Sequence, residues 1–315
     1  MRFCRDLLLL LGRSTFRKFL YQNAVWIFFI SLFVACTKEE NKNVRLALEW
    51  HANPNHVPLF VGKELGFFKE EGIDLEIRQT SDAFSIIPSL LTKKVDLAVY
   101  HLPNLFRSKQ MSKLKIVGVL VDMPLRAFIY RKEHKIASFK DFEKMRFCGN
   151  VDGLLTSYFR ALLESHGVSF KEVIKVQIEP ATMLITNRAD IIGGGYWNIE
   201  LEQLKACGID CSYITPQDFG VPPYAELIVI ARENFTLSCN FQRALQKSIE
   251  YSKKHPMHAF NLYVKAAPQK SMRSLIWERN AWDVTYPLLS MTQSTDPERW
   301  KLFYEWMKNE NLMSS

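Results

Sequence analysis

The chain has 315 residues, enough for two compact domains or one large domain. Its composition, 48% hydrophobic and 23% charged, is that of a globular protein and excludes a disordered or collagen-like chain. The net charge is +8, but half of this excess lies in the first 36 residues and the rest is scattered, so composition does not indicate a nucleic-acid-binding protein.

The first 36 residues are predicted to be a targeting segment outside the fold. A basic region precedes an apolar run, Ala24–Ala35, which is shorter than the roughly 20 residues that span a bilayer as a helix. The run ends in Phe33-Val34-Ala35-Cys36, which resembles the lipobox of bacterial lipoproteins, with Phe33 in place of the usual Leu. We therefore expect lipidation of Cys36 after cleavage, with an uncleaved anchor as the alternative. Either way, the rest of the chain is expected outside the cytoplasmic membrane.

Residues Val44–Ile77 are predicted to form a strand, a loop, a helix and a second strand. Apolar and polar residues alternate along the first strand, a proline interrupts the loop, and Gly72 ends the helix. Glu49 and Trp50 end the first strand, at the edge where α/β proteins hold ligands. This edge is a candidate recognition site, although such loops are often merely polar.

Strands and helices alternate further along the chain, which favours a largely parallel sheet flanked by helices. A charged connector at Arg131–Lys135 follows the strand Ala127–Tyr130. After it comes a second set of elements, similar in order and size but without a repeat of the first set's sequence. The predicted elements of this set include helix Leu154–His166, strand Ala189–Ile192 and helix Leu201–Cys207.

The chain then returns to the first set of elements. Gln217–Tyr224, with two prolines and a glycine, is predicted to be irregular, and Glu226–Ala231 is hydrophobic enough for the centre of a sheet. In the last helix, Pro297–Asn309, an aromatic stripe is predicted to pack in the core. The connectors near Lys132 and Val221 predict two α/β lobes with two crossings and a ligand cleft between them.

Four cysteines follow Cys36, and they are too widely spaced, with too few histidines nearby, for a zinc site. They are Cys148, Cys207, Cys211 and Cys239. Buried free thiols are predicted, with a Cys207–Cys211 disulfide as the alternative in an oxidising compartment.

Three motifs together resemble one family. They are W-x-x-N-x-N-H at 50–56 with GFFKEEGID at 66–74, GGYWNIE at 194–200, and D-x-GVP at 218–222. They resemble the bacterial binding lipoproteins that deliver thiamine-pyrimidine precursors to ABC importers, and the match covers residues 44–235. The superfamily includes binders of nitrate, sulfonates and taurine, and also the synthase of the thiamine pyrimidine.

The resemblance implies a type II periplasmic-binding-protein fold that closes on a formylated aminopyrimidine or a similar small aromatic metabolite. Residues 1–36 would then be the signal segment, 37–131 and 224–315 the first lobe, and 132–223 the second lobe. An ABC permease in the cytoplasmic membrane is the implied partner, and the expected protein is a lipid-anchored monomer of the bacterial cell envelope. We expect no cofactor, no metal and no nucleic-acid partner.

Eight residues are predicted to bind the ligand: Glu49, Trp50, Asn55, His56, Tyr100, Tyr196, Trp197 and Glu200. A pyrimidine needs ring faces to stack on, each stack contributing about 0.5–1.5 kcal/mol beyond burial. Its amine and ring nitrogens need acceptors and donors, which buried carboxylates can supply. Glu49 stands where the family usually has Asp, so the exact ligand is open.

Several of these residues also have a structural interpretation. Glu49 could be a solvent-facing strand end, and Trp50 could pack between lobes. The loop asparagines could hold the backbone, an interpretation favoured for Asn53, and His56 could serve as a helix-start residue. Tyr196 and Trp197 would be exposed if they did not bind a ligand.

The main alternative function is the pyrimidine synthase, which the stretch HVPLF at 56–60 also resembles. That enzyme consumes its own histidine and pyridoxal phosphate with iron. It needs a lysine for the aldehyde, a donor histidine four residues later and a cysteine-rich run before the returning strand. Here Tyr100, Asn104 and Gly220–Tyr224 hold those positions, and His101 lies at the wrong step. We therefore predict a receptor without enzymatic activity.

Overall fold

The computed structural model describes residues 41–80, 85–150, 159, 162–176, 180–267, 271–294 and 296–313. The predicted targeting segment with Cys36, and much of the predicted helix Leu154–His166, lie outside these residues. No helix in the described ranges is both long enough and apolar enough to cross a membrane. From Lys42 onward the chain forms one compact unit.

Ten strands in the described residues form two five-stranded sheets. The strands are β1 Lys42–Ala47, β2 Ile73–Arg78, β3 Leu97–His101, β4 Leu114–Val121, β5 Arg126–Arg131, β6 Arg146–Asn150, β7 Glu172–Val176, β8 Ile191–Tyr196, β9 Cys211–Ile214 and β10 Leu227–Arg232. The α-helices are α1 Val57–Glu64, α2 Phe67–Glu70, α3 Ile86–Leu91, α4 Leu102–Arg107, α5 Ala181–Ile185, α6 Trp197–Ala206, α7 Ser238–Lys254, α8 Pro256–Ala266, α9 Met272–Thr285 and α10 Pro297–Asn309.

The two sheets follow the same plan. The strand order is β2-β1-β3-β10-β4 in the first sheet and β7-β6-β8-β5-β9 in the second. In each sheet four strands run in one direction and the fifth, β10 in the first sheet and β5 in the second, pairs antiparallel with both of its neighbours. The prediction of a largely parallel sheet is confirmed for the direction of four strands, but it did not include the antiparallel insertion, because local periodicity does not show where a strand from a distant part of the chain inserts. The central position predicted for Glu226–Ala231 is confirmed by β10.

The first crossing between the sheets lies earlier than predicted. The expected boundary at residue 131 left the strand Ala127–Tyr130 in the first lobe, whereas β5 pairs with β8 and β9 of the second sheet. The crossing is therefore the short segment 122–125, and β5 already belongs to the second sheet. The charged stretch Arg131–Lys135 was predicted to be the connector because it is polar. Its first residue ends β5, and the others form the turn that follows the strand.

Glycines continue β8 past Ile192, where the strand was predicted to end. The strand runs through Gly193, Gly194 and Gly195 to Tyr196, and α6 begins at once with Trp197, four residues before the predicted start. A Cβ atom on Gly193 would lie 2.1 Å from Cζ of Phe147, so the strand needs glycine there to pack against the neighbouring ring.

A short helix replaces part of the segment predicted to be irregular. Pro216–Phe219 forms a 3₁₀ turn, with proline in its first turn and a reciprocal cap between Thr215 and Asp218. The prolines at 222 and 223 follow this turn in an irregular segment.

The last helix closes the core, as predicted. Trp300, Phe303 and Met307 of α10 are buried, and Tyr304 and Trp306 are partly buried against the same apolar cluster. Phe303 stacks on Tyr224 with ring centroids 4.5 Å apart. The interpretation of the aromatic stripe as core packing is confirmed.

An arginine–aspartate pair recurs in the two sheets. Arg45 of β1 pairs with Asp96, which precedes β3, at 2.9 Å between Nε and Oδ2. Arg146 of β6 pairs with Asp190, which precedes β8, at 2.6 Å between Nη2 and Oδ1. The aspartates end two corresponding heptapeptides, LLTKKVD at 90–96 and LITNRAD at 184–190. The expectation that the second set does not repeat the first set's sequence is therefore wrong for this segment.

Candidate functional site

Six side chains at strand or loop ends meet between the two sheets: two carboxylates, two imidazoles, one guanidinium and one phenol. Glu49, His56, His101 and Glu226 come from segments of the first sheet, and Arg126 and Tyr196 from strands of the second. We call these six residues the intersheet cluster. All except Arg126 are more than nine-tenths buried.

Glu49 and His56 form the first contact of the intersheet cluster. Glu49 Oε2 lies 2.7 Å from His56 Nε2. The backbone N–H of Asn53 donates to His56 Nδ1 at 3.2 Å, which leaves Nε2 to face the carboxylate. Asn53 Oδ1 also accepts from the backbone N–H of Asn55, which confirms the backbone-holding role predicted for Asn53.

Glu49 is ionised although it is buried. Burial alone would raise the pKa of this carboxyl group, but the imidazoles of His56 and His101 outweigh that effect and lower the pKa to about 2. The second oxygen, Oε1, accepts a hydrogen bond from the Tyr196 hydroxyl at 3.3 Å. This bond joins the strand ends of the two sheets. Because 3.3 Å is long for an O–H···O bond, Oε1 keeps acceptor capacity for a better donor.

Arg126 reaches from the start of β5 to the first sheet. Its Nη1 donates to the carbonyl of Gly194, and its Nη2 donates to His101 Nε2 at 3.0 Å. His101 Nε2 is therefore unprotonated, because a guanidinium only donates. Burial, together with the charge of Arg126, lowers the pKa of His101. The guanidinium also lies over the Tyr196 ring, 4.5 Å from its centroid.

Glu226 connects the two segments of chain that cross between the sheets, one before β5 and one before β10. It stands directly before β10, and its Oε2 accepts from the backbone N–H groups of Leu125 and Arg126, both at 3.1 Å. Its Oε1 lies 3.3 Å from His101 Nδ1. Burial alone would raise the pKa of Glu226, but the contact with His101 and the charge of Arg126 lower it. The site thus contains a second buried, ionised carboxylate.

A separate polar contact joins the sheets through Asn198 of α6. Its Nδ2 donates to Asn55 Oδ1 at 2.8 Å and to Thr285 Oγ1 at 2.7 Å. All three residues are buried. Asn55, predicted to bind the ligand, is thus engaged by the helix that follows β8.

Tyr100, also predicted to bind the ligand, packs in the core. Its side chain belongs to an apolar cluster with Phe106 and Phe303, and burial raises its pKa to about 12. Alternation along β3 explains the difference from the next residue, since successive side chains point to opposite faces. His101 therefore reaches the intersheet cluster and Tyr100 does not.

The two predicted tryptophans contact other rings of the protein. Trp197 stacks on Tyr213 with centroids 5.3 Å apart and planes 8° apart, and its Nε1 donates to the carbonyl of Pro124 at 3.3 Å. Trp50 is half-buried and meets His51 edge-on at 5.3 Å. Glu200 is half-buried on α6, and its charge acts on Arg126. Trp50 and Trp197 directly follow Glu49 and Tyr196 of the intersheet cluster in sequence.

Three members of the intersheet cluster are absent from the predicted ligand-binding residues. His101, Arg126 and Glu226 are single polar residues at the ends of apolar strands, a pattern that usually indicates a solvent-facing strand end. A detectable signal was the position of Glu226 before the very apolar β10, because a central strand is covered at both edges. No local sequence pattern distinguished Arg126 as a site residue, because its partners lie 25 to 100 residues away in the chain.

The cluster is suited to binding N–H groups. It offers carboxylate oxygens beside a phenol, held by two imidazoles and by a guanidinium whose terminal nitrogens already donate hydrogen bonds. In the part of the chain that the structure describes, no group of three or more His, Cys, Asp or Glu side chains could hold a metal ion. Among the described residues, Cys148, Cys207, Cys211 and Cys239 form no disulfide, as predicted, but only Cys148 is fully buried.

Curated relatives fall into two kinds. The chain is 28% identical over 294 residues to a Haemophilus influenzae protein named for thiamine biosynthesis, covering 91% of this chain and 93% of that one. It is 27% identical to the formylaminopyrimidine-binding protein of Halalkalibacterium halodurans, covering 88% and 81%. It is 25% identical to the 4-amino-5-hydroxymethyl-2-methylpyrimidine phosphate synthase of Legionella pneumophila, covering 86% and 87%.

Solved structures and a family model agree on the class. The alkanesulfonate-binding protein of Xanthomonas axonopodis pv. citri superposes with a TM-score of 0.64 at 10% identity, covering 88% of this chain and 96% of that one. This likeness shows the fold, which is that of the periplasmic binding proteins. The model described as NMT1/THI5 like matches residues 53–259. This range includes five of the six members of the intersheet cluster, and the sixth, Glu49, precedes it. The chain belongs to the NMT1/THI5-like family.

Proposed function

We propose that this protein is an extracytoplasmic, lipid-anchored substrate-binding protein of an ABC importer, and that its ligand is a thiamine pyrimidine precursor of the formylaminopyrimidine type. The fold and the name of the Halalkalibacterium halodurans relative support a binding role. The position of the intersheet cluster supports a site that opens and closes with the two sheets.

One contact supports this proposal most directly. The hydrogen bond from Tyr196 to Glu49 Oε1 connects the sheets through a carboxylate that can accept from an exocyclic amine. The amine of an aminopyrimidine would take the place of the tyrosine hydroxyl, and both sheets would then contact the same ligand. Desolvation between the sheets strengthens such a bond.

Calorimetry tests the ligand assignment. We expect the full-length protein, purified in detergent, to bind formylaminopyrimidine with one site per chain. Glu49→Ala should weaken binding by at least about tenfold, because it removes a charged acceptor. Glu305→Gln, at an exposed position of α10, serves as the matched control and should bind like the wild type. Binding of a sulfonate or a flavin-type compound, with none of any pyrimidine, would contradict the assignment.

Fractionation tests the anchor. We expect the wild-type protein to partition with membranes and the Cys36→Ala protein to lose a lipid-dependent share of that partitioning. If the Cys36→Ala protein partitions unchanged, the lipid anchor is ruled out.

The synthase is the second candidate function, because curated relatives bear that name. The family's lysine and donor histidine would correspond to Tyr100 and Asn104, which are buried and can form neither an imine nor a histidine-derived product. Mass spectrometry after incubation with pyridoxal phosphate and iron distinguishes the two functions. An unchanged chain mass supports the receptor, whereas stoichiometric loss of a histidine side chain would establish the synthase.

A further inference from the structure

We propose that the strand-start edge of the first sheet is a membrane-docking surface, and that it contacts the anionic headgroups of a lipid bilayer. This inference rests on the proposed function in one respect, the lipid anchor, and is independent of the ligand. It goes beyond that function by assigning the face of the protein that meets the bilayer.

Six exposed lysines lie at this edge, which we call the basic pole. The strands β1, β2, β3 and β4 run in one direction, so their first residues lie at the same edge of the sheet. Lysines stand at or shortly before each of these strand starts. They are Lys42 at β1, Lys69 before β2, Lys93 and Lys94 before β3, and Lys109 and Lys113 before β4. The fold thus gathers charges that are scattered in the sequence.

Backbone contacts hold the lysine-bearing loops against the sheet. The carbonyl of Lys93 accepts a hydrogen bond from Arg45 Nη2 at 2.8 Å. The carbonyl of Lys113 accepts from the backbone N–H of Glu233 at 3.0 Å, directly after β10. These lysines therefore have a fixed backbone and an exposed side chain, so the basic pole is part of the rigid fold.

Other cations already neutralise most of the acidic residues beside the basic pole. Asp96 contacts both Arg45 and Arg232. Two further pairs join the end of α2 and the turn after it to α7: Glu70 with Lys247, and Glu71 with Arg243. The exposed carboxylates of Asp74 and Glu233 remain, and the six lysines outnumber them. The basic pole therefore carries a net positive charge.

The corresponding edge of the second sheet lies at the opposite pole of the molecule, because the strand ends of both sheets meet at the intersheet cluster. The internal arginine–aspartate pair recurs there, but the exposed charges differ. Lys144 and Lys171 precede β6 and β7, and each is next in sequence to an exposed glutamate, Glu143 or Glu172. Charge at this opposite pole is balanced locally, and a flat bilayer can contact one pole at a time.

The proposed anchor favours contact through the basic pole. Cys36 precedes Lys42 by six residues, which an extended chain covers in about 20 Å. A lipid on Cys36 would therefore keep the start of β1 close to the bilayer. Anionic lipids attract basic residues within about one Debye length, roughly 10 Å at 0.1 M salt, and each lysine near the surface strengthens binding roughly fivefold.

Docking in this way sets the direction of the ligand site. Glu49 lies seven residues beyond Lys42, roughly 20 Å along an extended strand. The intersheet cluster would thus face away from the bilayer, toward ligand that arrives from outside. Because contacts with headgroups are reversible and screened by salt, the anchored protein can leave this orientation to deliver its ligand.

Lysine footprinting on vesicles tests the proposal. Full-length protein is purified in detergent and added to phosphatidylcholine vesicles, with or without phosphatidylglycerol, and acetylation of each lysine is measured by mass spectrometry. On the anionic vesicles at low salt, we expect acetylation of the basic-pole lysines to fall at least about threefold, and to recover at about 0.5 M salt. Lys144 and Lys171 should be acetylated equally on both kinds of vesicle.

Two triple variants show whether the charge of the basic pole is the cause. Lys69→Gln, Lys94→Gln and Lys113→Gln together should reduce the protection of Lys42 and Lys93 to less than about 1.5-fold, because headgroup attraction falls with each charge removed. The matched control changes three exposed lysines of the opposite pole, Lys140→Gln, Lys144→Gln and Lys171→Gln, and should keep the full protection. The salt dependence of the wild type tests the same cause without a substitution.

Flotation with neutral vesicles reports the anchor, and footprinting on anionic vesicles reports the docking surface. Flotation without selective protection of the basic pole, or protection that the first triple variant retains, would overturn the docking surface and leave the anchor standing. Protection on anionic vesicles without flotation on neutral ones would overturn the anchor and leave the docking surface standing. Failure to associate with either kind of vesicle would overturn both.

Discussion

The two sheets are alike at one end of their strands and different at the other. At the common end each sheet has an arginine–aspartate pair and a second arginine, the last residue of the antiparallel strand, that donates to a leucine carbonyl. The corresponding contacts are Arg45–Asp96 with Arg232 to Leu90 O at 2.6 Å, and Arg146–Asp190 with Arg131 to Leu184 O at 2.5 Å. At the opposite end, the first sheet carries Glu49 and His101, and the second carries Tyr196 after three glycines.

The shared contacts hold neighbouring strands in register, and each sheet needs them to the same degree. The opposite strand ends differ, as the proposed function requires, because the two sides of a cleft offer different groups to the same molecule. The packing differs too, since Leu46 and Val99 of the first sheet correspond to Phe147 and Gly193 of the second.

Changing the packing of Gly193 against Phe147 should have the largest effect on the stability of the fold. We expect Gly193→Ala to destabilise the fold by about 3 kcal/mol in urea unfolding, because its Cβ would lie 2.1 Å from Phe147 Cζ. Phe147 cannot easily move away, since it is buried and packs against Phe170 at 4.7 Å.

The matched double variant, Gly193→Ala with Phe147→Leu, approaches the size pairing of the first sheet. It should recover part of the lost stability, and a loss below about 1 kcal/mol in the single variant would contradict the correspondence.

Replacing Asp96 or Asp190 should destabilise the fold less than Gly193→Ala does, and the two replacements should differ in size. Asp96→Asn is expected to destabilise the fold by about 2 kcal/mol and Asp190→Asn by about 1 kcal/mol, because Asp96 pairs with both Arg45 and Arg232. Thermal or urea unfolding measures the difference. Asp74→Asn, exposed on β2, is the control and should change little. Equal losses at the two aspartates would show that Arg232 contributes nothing to the first pair.

The smallest expected effect is on the pH dependence of stability. Burial opposes ionisation of Asp96, but hydrogen bonds from Arg45 prevail and lower its pKa, and hydrogen bonding with Arg146 lowers the pKa of Asp190. A pKa lowered in the folded state gives stability that is fully present above the unfolded pKa of about 3.9 and is lost as pH falls through the folded value.

We therefore expect the double variant Asp96→Asn with Asp190→Asn to lose less stability than the wild type between pH 6 and pH 3. Urea unfolding across this range measures the two slopes. Parallel slopes would mean that neither carboxylate contributes to the acid sensitivity of the fold.

Local patterns predicted the parts of the molecule that local chemistry determines. The strand–loop–helix–strand unit, the central β10 and the buried face of α10 follow from apolar spacing, and Glu49 and Tyr196 follow from their places at strand ends. The antiparallel insertions and the roles of Arg126 and Glu226 depend on contacts between distant segments, which spacing does not record. The stacking of Trp197 on Tyr213 belongs to the same class, because its partner lies beyond α6.

The insertion of β10 between β3 and β4 also bears on the order in which the two sheets can form. All described strands of the second sheet lie between Arg126 and Ile214, so that sheet needs no strand from outside this range. The first sheet is completed only when β10, which ends at Arg232, pairs with β3 and β4, whose edges are unpaired until then. The contacts of β10 join distant parts of the chain, and such contacts slow folding. We therefore expect the first sheet to be completed after the second.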